Sequence, residues 1–139
     1  RVHILTGVAL YGLLALHDAT GEKRWLDAAT ELTETAIKWH GDGTRGGFFF
    51  APSDGEKLFA RPKDGYDGVQ PSGNSQTARN LVRLWQKTKN AKYRDLAEKT
   101  IKFAALTLRT EPSGVPTMAR ALDEFLAAGG GDAAAGPKK

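Results

Sequence analysis

Apolar positions crowd the first stretch of the chain on nearly every side. Between His3 and Ala19 the leucines Leu10, Leu13, Leu14 and Leu16 recur too densely for a single stripe. The spacing predicts a helix packed on most of its faces. Thr20-Gly21 stops it, with Gly21 as the left-handed C-terminal residue. From Lys23 to His40 the pattern narrows. Trp25, Leu26, Ala29, Leu32, Ala36 and Ile37 form one stripe, and Asp27, Glu31 and Glu34 lie opposite. That is an amphipathic helix, and the glycines between 41 and 47 break it. A third helix runs from Asn74 or Ser75 to Thr88, with Ser72 and Asn74 both suited to cap it. A fourth spans Ala91 to Leu108. A break at Glu111-Pro112-Ser113-Gly114 precedes a fifth, Thr117 to Ala127.

Between the second and third helices the period changes. Phe48-Phe49-Phe50, the turn Pro52-Ser53-Asp54-Gly55 and the run Lys57-Leu58-Phe59-Ala60 read as an inserted β-hairpin. A loop from Arg61 to Gly73 follows, long enough to imply a function or tight packing. Residues 1–127 are expected to form one helical domain. The Gly, Ala, Asp, Pro and Lys of residues 128–139 are expected to be a disordered tail.

The two helix pairs repeat at an offset of 68 positions. Leu13 matches Leu81, Leu16 matches Leu84, Thr20 matches Thr88, Trp25 matches Tyr93, Ala29 matches Ala97 and Ala36 matches Ala104. Each unit is helix, short turn, helix, with an aromatic just past the turn. A helical hairpin cannot cover its own apolar face, so such units stack on neighbours. The expected class is mainly all-α: helical hairpins of a partial (α/α)6 toroid carrying a small β-hairpin.

Composition narrows the chemistry. The 139 residues contain no cysteine, which removes disulfides, thiolate catalysis and Cys-based zinc sites. Net charge is +4, and residues 83–109 hold eight Lys and Arg against Asp95 and Glu98. Those cations are scattered around the helix pair, which is the pattern of a solvated face; a nucleic-acid surface ranks last among the functional readings. The apolar run Ile4–Leu16 is only 13 residues long, too short to span a bilayer. No signal peptide is visible, and a cytoplasmic location is expected. The chain opens at Arg1 within a helical pattern and without Met, which reads as a piece of a longer protein. His3, His17 and His40 are too dispersed for a metal motif, and no P-loop or nucleophile elbow is present. No metal or cofactor is assigned.

The segment Gly46 to Thr88, GGFFFAPSDGEKLFARPKDGYDGVQPSGNSQTARNLVRLWQKT, resembles a known family. It is similar to the C-terminal half of the thioredoxin-domain proteins related to spermatogenesis-associated protein 20. Their pattern of GGFFF, R-x-K-x-x-x-DG and PSGNS is matched at Gly46 to Phe50, at Arg61, Lys63 and Asp67-Gly68, and at Pro71 to Ser75. TGEKRWLDAATEL and VPTMARALDEF also fit. The resemblance implies part of an (α/α)6 toroid similar to the N-acylglucosamine 2-epimerase barrel. Where the family carries an acidic pair in LEDYA, this chain reads HILTG at His3 to Gly7, so any pocket role of that pair is missing. The family's cysteine pair also lies outside these residues, and its redox role does not carry over.

Asp67 is the leading candidate for catalysis. A loop carboxylate beside glycine can accept sugar hydroxyls or act as a general acid or base, and it can equally bond nearby backbone N–H groups. Asn74 and Ser75, at a helix start, can meet a ligand or cap the helix. Arg61 and Lys63 can hold an anion, or pair with Asp64 or Asp67 to fix the loop. Tyr66 can stack on a sugar ring or pack the loop. Three readings follow. The first is a non-catalytic helical scaffold with an exposed apolar face that recruits a second copy or the missing part of the barrel. The second is a carbohydrate-active domain of epimerase or glycoside-hydrolase type that uses loop carboxylates on a small carbohydrate. The third is nucleic-acid binding.

Overall fold

A computed structural model describes residues 2–49, 52–53, 62–63, 66–68 and 72–131, with the backbone alone for 2–5. The elements are α1 (Val2–Thr20), α2 (Lys23–His40), α3 (Gly73–Thr88), α4 (Ala91–Phe103), α5 (Ala105–Thr110), a 3-10 turn (Pro112–Gly114) and α6 (Pro116–Ala127). The sequence reading treats α4 and α5 as one helix. Ala104 separates them, with φ −93° and ψ 5°, and its N–H bonds to Ile101 O.

The helices form two layers. α1, α3 and α6 lie side by side, with α3 in the middle; α2 backs α1, and α4 backs α3. This is an all-α helical-hairpin arrangement, consistent with a partial (α/α)6 toroid. The core runs along the central layer. Leu10, Leu14, Ala78, Leu81, Leu84, Met118, Ala121 and Phe125 pack there, and Ala29, Tyr93 and Ala97 meet them from the outer helices. Small residues at 29, 78, 97 and 121 are fully buried, which lets the helices approach closely.

The repeat holds at the level of single hydrogen bonds. Thr20 Oγ1 donates to Leu16 O (2.7 Å) and accepts from Glu22 N–H (3.2 Å). Thr88 Oγ1 donates to Leu84 O (2.8 Å) and accepts from Asn90 N–H (3.3 Å). Both first helices end on a left-handed residue, Gly21 at φ 70° and Lys89 at φ 59°, whose N–H returns to the carbonyl four residues back. Ion pairs join the hairpins. Asp18 on α1 meets Arg83 and Lys87 on α3, and Glu34 on α2 meets Lys92 on α4. Glu34 also accepts from Tyr93 Oη (2.8 Å); burial and that bond push the phenol up to about 12.

The inserted β-hairpin must be corrected. Among the described residues there is no strand, only an isolated antiparallel bridge between Gly41 and Phe48. Phe49 N–H bonds to His40 O (2.7 Å), so the Phe48–Phe49 run pairs with the end of α2. The other edge of Phe48 is occupied by a side chain. Asn74 Oδ1 accepts from Phe48 N–H (2.6 Å) and Asn74 Nδ2 donates to Phe48 O (3.0 Å). One amide thus does what a neighbouring strand would do. The expected second run, Lys57 to Ala60, lies outside the described residues, as does most of the expected tail. Ala128 to Gly131 do belong to the packed structure. Gly129 (φ 84°) closes a Schellman cap on α6, and Arg94 Nη2 donates to Gly130 O (2.6 Å).

Candidate functional site

α3 and α6 both begin at the end of the array where α2 and α4 finish, so the connections gather there. The sequence candidates fall into two groups at this end.

The first group is centred on Asp67. Its Oδ1 accepts from Ser72 N–H (2.8 Å), just before α3, and its Oδ2 accepts from Thr117 N–H (2.7 Å), in the first turn of α6. Its own N–H donates to Gly114 O (2.9 Å). One carboxylate therefore serves the positive ends of two helices at once, where unpaired backbone N–H groups favour negative charge. Ser72 is the N-cap of α3, and its Oγ accepts from Ser75 N–H (3.0 Å) and donates to Ser75 Oγ (2.8 Å). Asn74, the other residue suited to capping, is instead buried inside the helix against Phe48. Tyr66 lies over Gly114, where an added Cβ would come within 3.2 Å of its ring. Its hydroxyl donates to Glu111 (3.3 Å), and the residue stays 59% exposed.

The second group is centred on Lys63, whose ammonium donates to Asp42 Oδ2 (2.6 Å) and Gly46 O (2.7 Å). It also lies 4.9 Å from the ring centres of both Phe49 and Phe103. Asp42 Oδ1 accepts from Thr44 N–H (2.9 Å) and Arg45 N–H (3.0 Å), an Asx-type turn. The Lys63 ammonium first, then the Arg45 and Thr44 N–H groups, hold the Asp42 carboxyl down to about 2. The turn depends on two glycines in the left-handed region, Gly46 (φ 79°) and Gly47 (φ 76°). A Cβ on Gly46 would stand 2.4 Å from Lys99 O, which only glycine tolerates.

The structure therefore unites Asp67, Tyr66 and Ser75 around two helix starts. Lys63 sits apart from them with Asp42, and Asn74 holds Phe48 between the groups. Arg61, Asp54 and Asp64 lie outside the described residues. Sequence reasoning missed Asp42 and Asn80. Asp42 had a signal, since an Asp among glycines is a turn former whose side chain bonds the backbone N–H two residues on. Asn80 Nδ2 donates to Gly7 O (2.9 Å) across α3 and α1, and nothing local marks it. A surface cleft of about 660 Å³ lies beside Lys63, lined by Asp42, Thr44, Arg45, Phe49, Lys63 and Phe103. Among the described residues no group of three or more His, Asp or Glu could hold a metal ion, and no helix is long and apolar enough to cross a membrane.

No protein-family model matches the chain. Individual proteins do. The chain is 37% identical over 112 residues to human spermatogenesis-associated protein 20, covering 80% of this chain and 14% of that protein. The mouse protein is 36% identical over 112 residues, with the same coverage. An uncharacterized protein of Caenorhabditis elegans is 30% identical over 118 residues, covering 84% of this chain and 16% of its own length. Over 112 of its 139 residues the chain is thus homologous to one segment of spermatogenesis-associated protein 20, a segment that makes up 14% of that protein's length.

Proposed function

We propose that this segment is a non-catalytic helical-hairpin scaffold, one arc of a toroid similar to the N-acylglucosamine 2-epimerase barrel. The occupation of Asp67 carries the reading. Both carboxylate oxygens bond backbone N–H groups, at Ser72 and at Thr117, and tie α3 to α6. A carboxylate held this way is a joint between elements. Ser72 and Ser75 are likewise engaged with each other and with the first turn of α3.

The scaffold offers an apolar face. α1 is apolar almost all round, yet Val8 is 62% exposed, and Tyr11 and Leu16 are also exposed. A helix of that composition belongs in an interior, so in this reading the face packs against further helices of a larger protein or against a second copy. The basic stretch between residues 83 and 109 supports the solvated-face reading over nucleic acid, because Arg83, Lys87, Lys92, Arg94 and Lys102 are already in ion pairs.

One observation favours a carbohydrate-active reading: the exposed Tyr66 ring next to Asp67. The variant Asp67→Ala separates the two. In the scaffold reading it orphans two helix-start N–H groups and costs about 2 kcal/mol of stability, read by thermal denaturation. An unchanged melting temperature together with lost binding to a panel of small sugars would overturn it.

A further inference from the structure

The cleft beside Lys63 is a place apart from the Asp67 joint, and its chemistry differs. We propose that it binds a small carboxylate carried on an apolar ring. Its walls are the Phe49 and Phe103 rings, and its polar lining is Asp42, Thr44, Arg45 and Lys63.

The charges select the anion. Lys63 and Asp42 form an ion pair in which each side chain is only 11% exposed, so the pair contributes no net charge. Two of the three ammonium N–H groups are used, on Asp42 and Gly46 O, and the third has no protein acceptor among the described residues. Arg45 is exposed, and its guanidinium has no partner among the described residues. Among the described residues the cleft therefore carries one uncompensated positive charge. A guanidinium fork matches a carboxylate in a bidentate pair, and the charge balance suits a monoanion better than a phosphate dianion.

The walls select the ring. Two phenyl groups flank the cation at equal distance, 4.9 Å from each ring centre to Lys63 Nζ. A flat or puckered apolar ring laid against these phenyl groups, beside the ammonium they flank, gains aromatic contact while its carboxylate reaches Arg45. At about 660 Å³ the cleft is within the range of small-molecule sites. The floor is held by Asp42 and the left-handed Gly46 and Gly47, so the geometry stands before a ligand arrives.

The test is an NMR titration of the 139-residue chain with sodium benzoate, sodium cyclohexanecarboxylate and inorganic phosphate, following backbone amides. Saturable shifts at residues 44–49 and 63 with either ring carboxylate support the proposal. Saturation by benzoate alone assigns an aromatic acid, by cyclohexanecarboxylate alone a saturated ring acid, and by both a cleft that reads ring and charge only. Phosphate is expected not to saturate. Arg45→Gln, at an exposed position that leaves the Lys63–Asp42 pair intact, is expected to weaken ring-carboxylate binding about tenfold, as loss of a charged hydrogen bond does. Absence of saturation by both ring acids, phosphate binding of equal strength, or an unchanged affinity in Arg45→Gln overturns it.

Discussion

The two hairpins share a plan and differ in what their first helices bury. None of the buried positions described on α1, Gly7, Leu10 and Leu14, carries a polar side chain, and the helix packs mainly against α2 and α3. α3, its counterpart 68 positions on, buries Ser75, Thr77 and Asn80 beside Ala78, Leu81, Val82 and Leu84, and Asn74 with them. α3 is packed by α1, α4 and α6. A helix surrounded on three sides has no solvent to satisfy the groups that enter its first turns, so polar side chains must do it from within. The apolar helix contributes burial. The polar one contributes register, because its buried amides Asn74 and Asn80 each fix a distant segment in one position.

The comparison predicts where the molecule breaks. The largest effect is expected at Asn74. Asn74→Ala removes both bonds to Phe48, a residue 1% exposed, and leaves a buried N–H and C=O without those partners. At about 1–3 kcal/mol for each buried bond lost, the loss should reach about 3–5 kcal/mol in denaturant unfolding. A truncation at Leu14 on α1 that cost much less than Asn74→Ala would confirm that α3 is the more demanding helix; a much larger cost would reverse the comparison. Asp67→Ala comes second, at the size given above.

Acid should act on the loop end next. Asp42 titrates at about 2 when folded, against 3.8 for the unperturbed group, because Lys63 and two backbone N–H groups favour its charged form. A depressed carboxyl binds fewer protons folded than unfolded. Its contribution is therefore full above about pH 4 and drains away as the pH falls towards about 2. Melting temperatures recorded from about pH 5 downwards should show this loss in the natural chain, and a smaller one in Asp42→Asn. Equal acid sensitivity of the two would remove Asp42 from the account.

The smallest effect sharpens the repeat itself. Gly21 and Lys89 occupy the same left-handed position in the two turns. A side chain there is strained, while glycine is not, although glycine loses more entropy on folding. Lys89→Gly is expected to stabilise by about 0.5–1 kcal/mol, raising the melting temperature slightly. A decrease would mean that the lysine side chain makes a compensating contact in its turn.

Helix periodicity, turn glycines and the 68-residue echo were legible because each depends on neighbours within a turn or two, or on direct self-comparison. Asp67, Asn74, Ser75 and Lys63 stood out in the sequence through the family resemblance, and the structure gives each a defined partner. Those partners were not legible. Asp67 reaches Thr117, Asn74 reaches Phe48 and Lys63 reaches Asp42, across separations of 50, 26 and 21 positions. The strand assignment at Phe48 failed for the same reason. Three consecutive phenylalanines have strand-like preference, but the bonds that fix the backbone of Phe48 and Phe49 come from the end of α2 and from an amide on α3.

Stacked helical hairpins, each touching only its neighbours, open from their ends as a zipper does. Asp67 changes that behaviour here. Because one carboxylate holds the start of α6 and the residue leading into α3, α6 cannot peel away without releasing the connection that positions the central helix. Local fraying and wider opening become the same event, and amide exchange in the first turn of α6 is tied to that of α3. A helix at the edge of the layer is then bound to the fate of its centre.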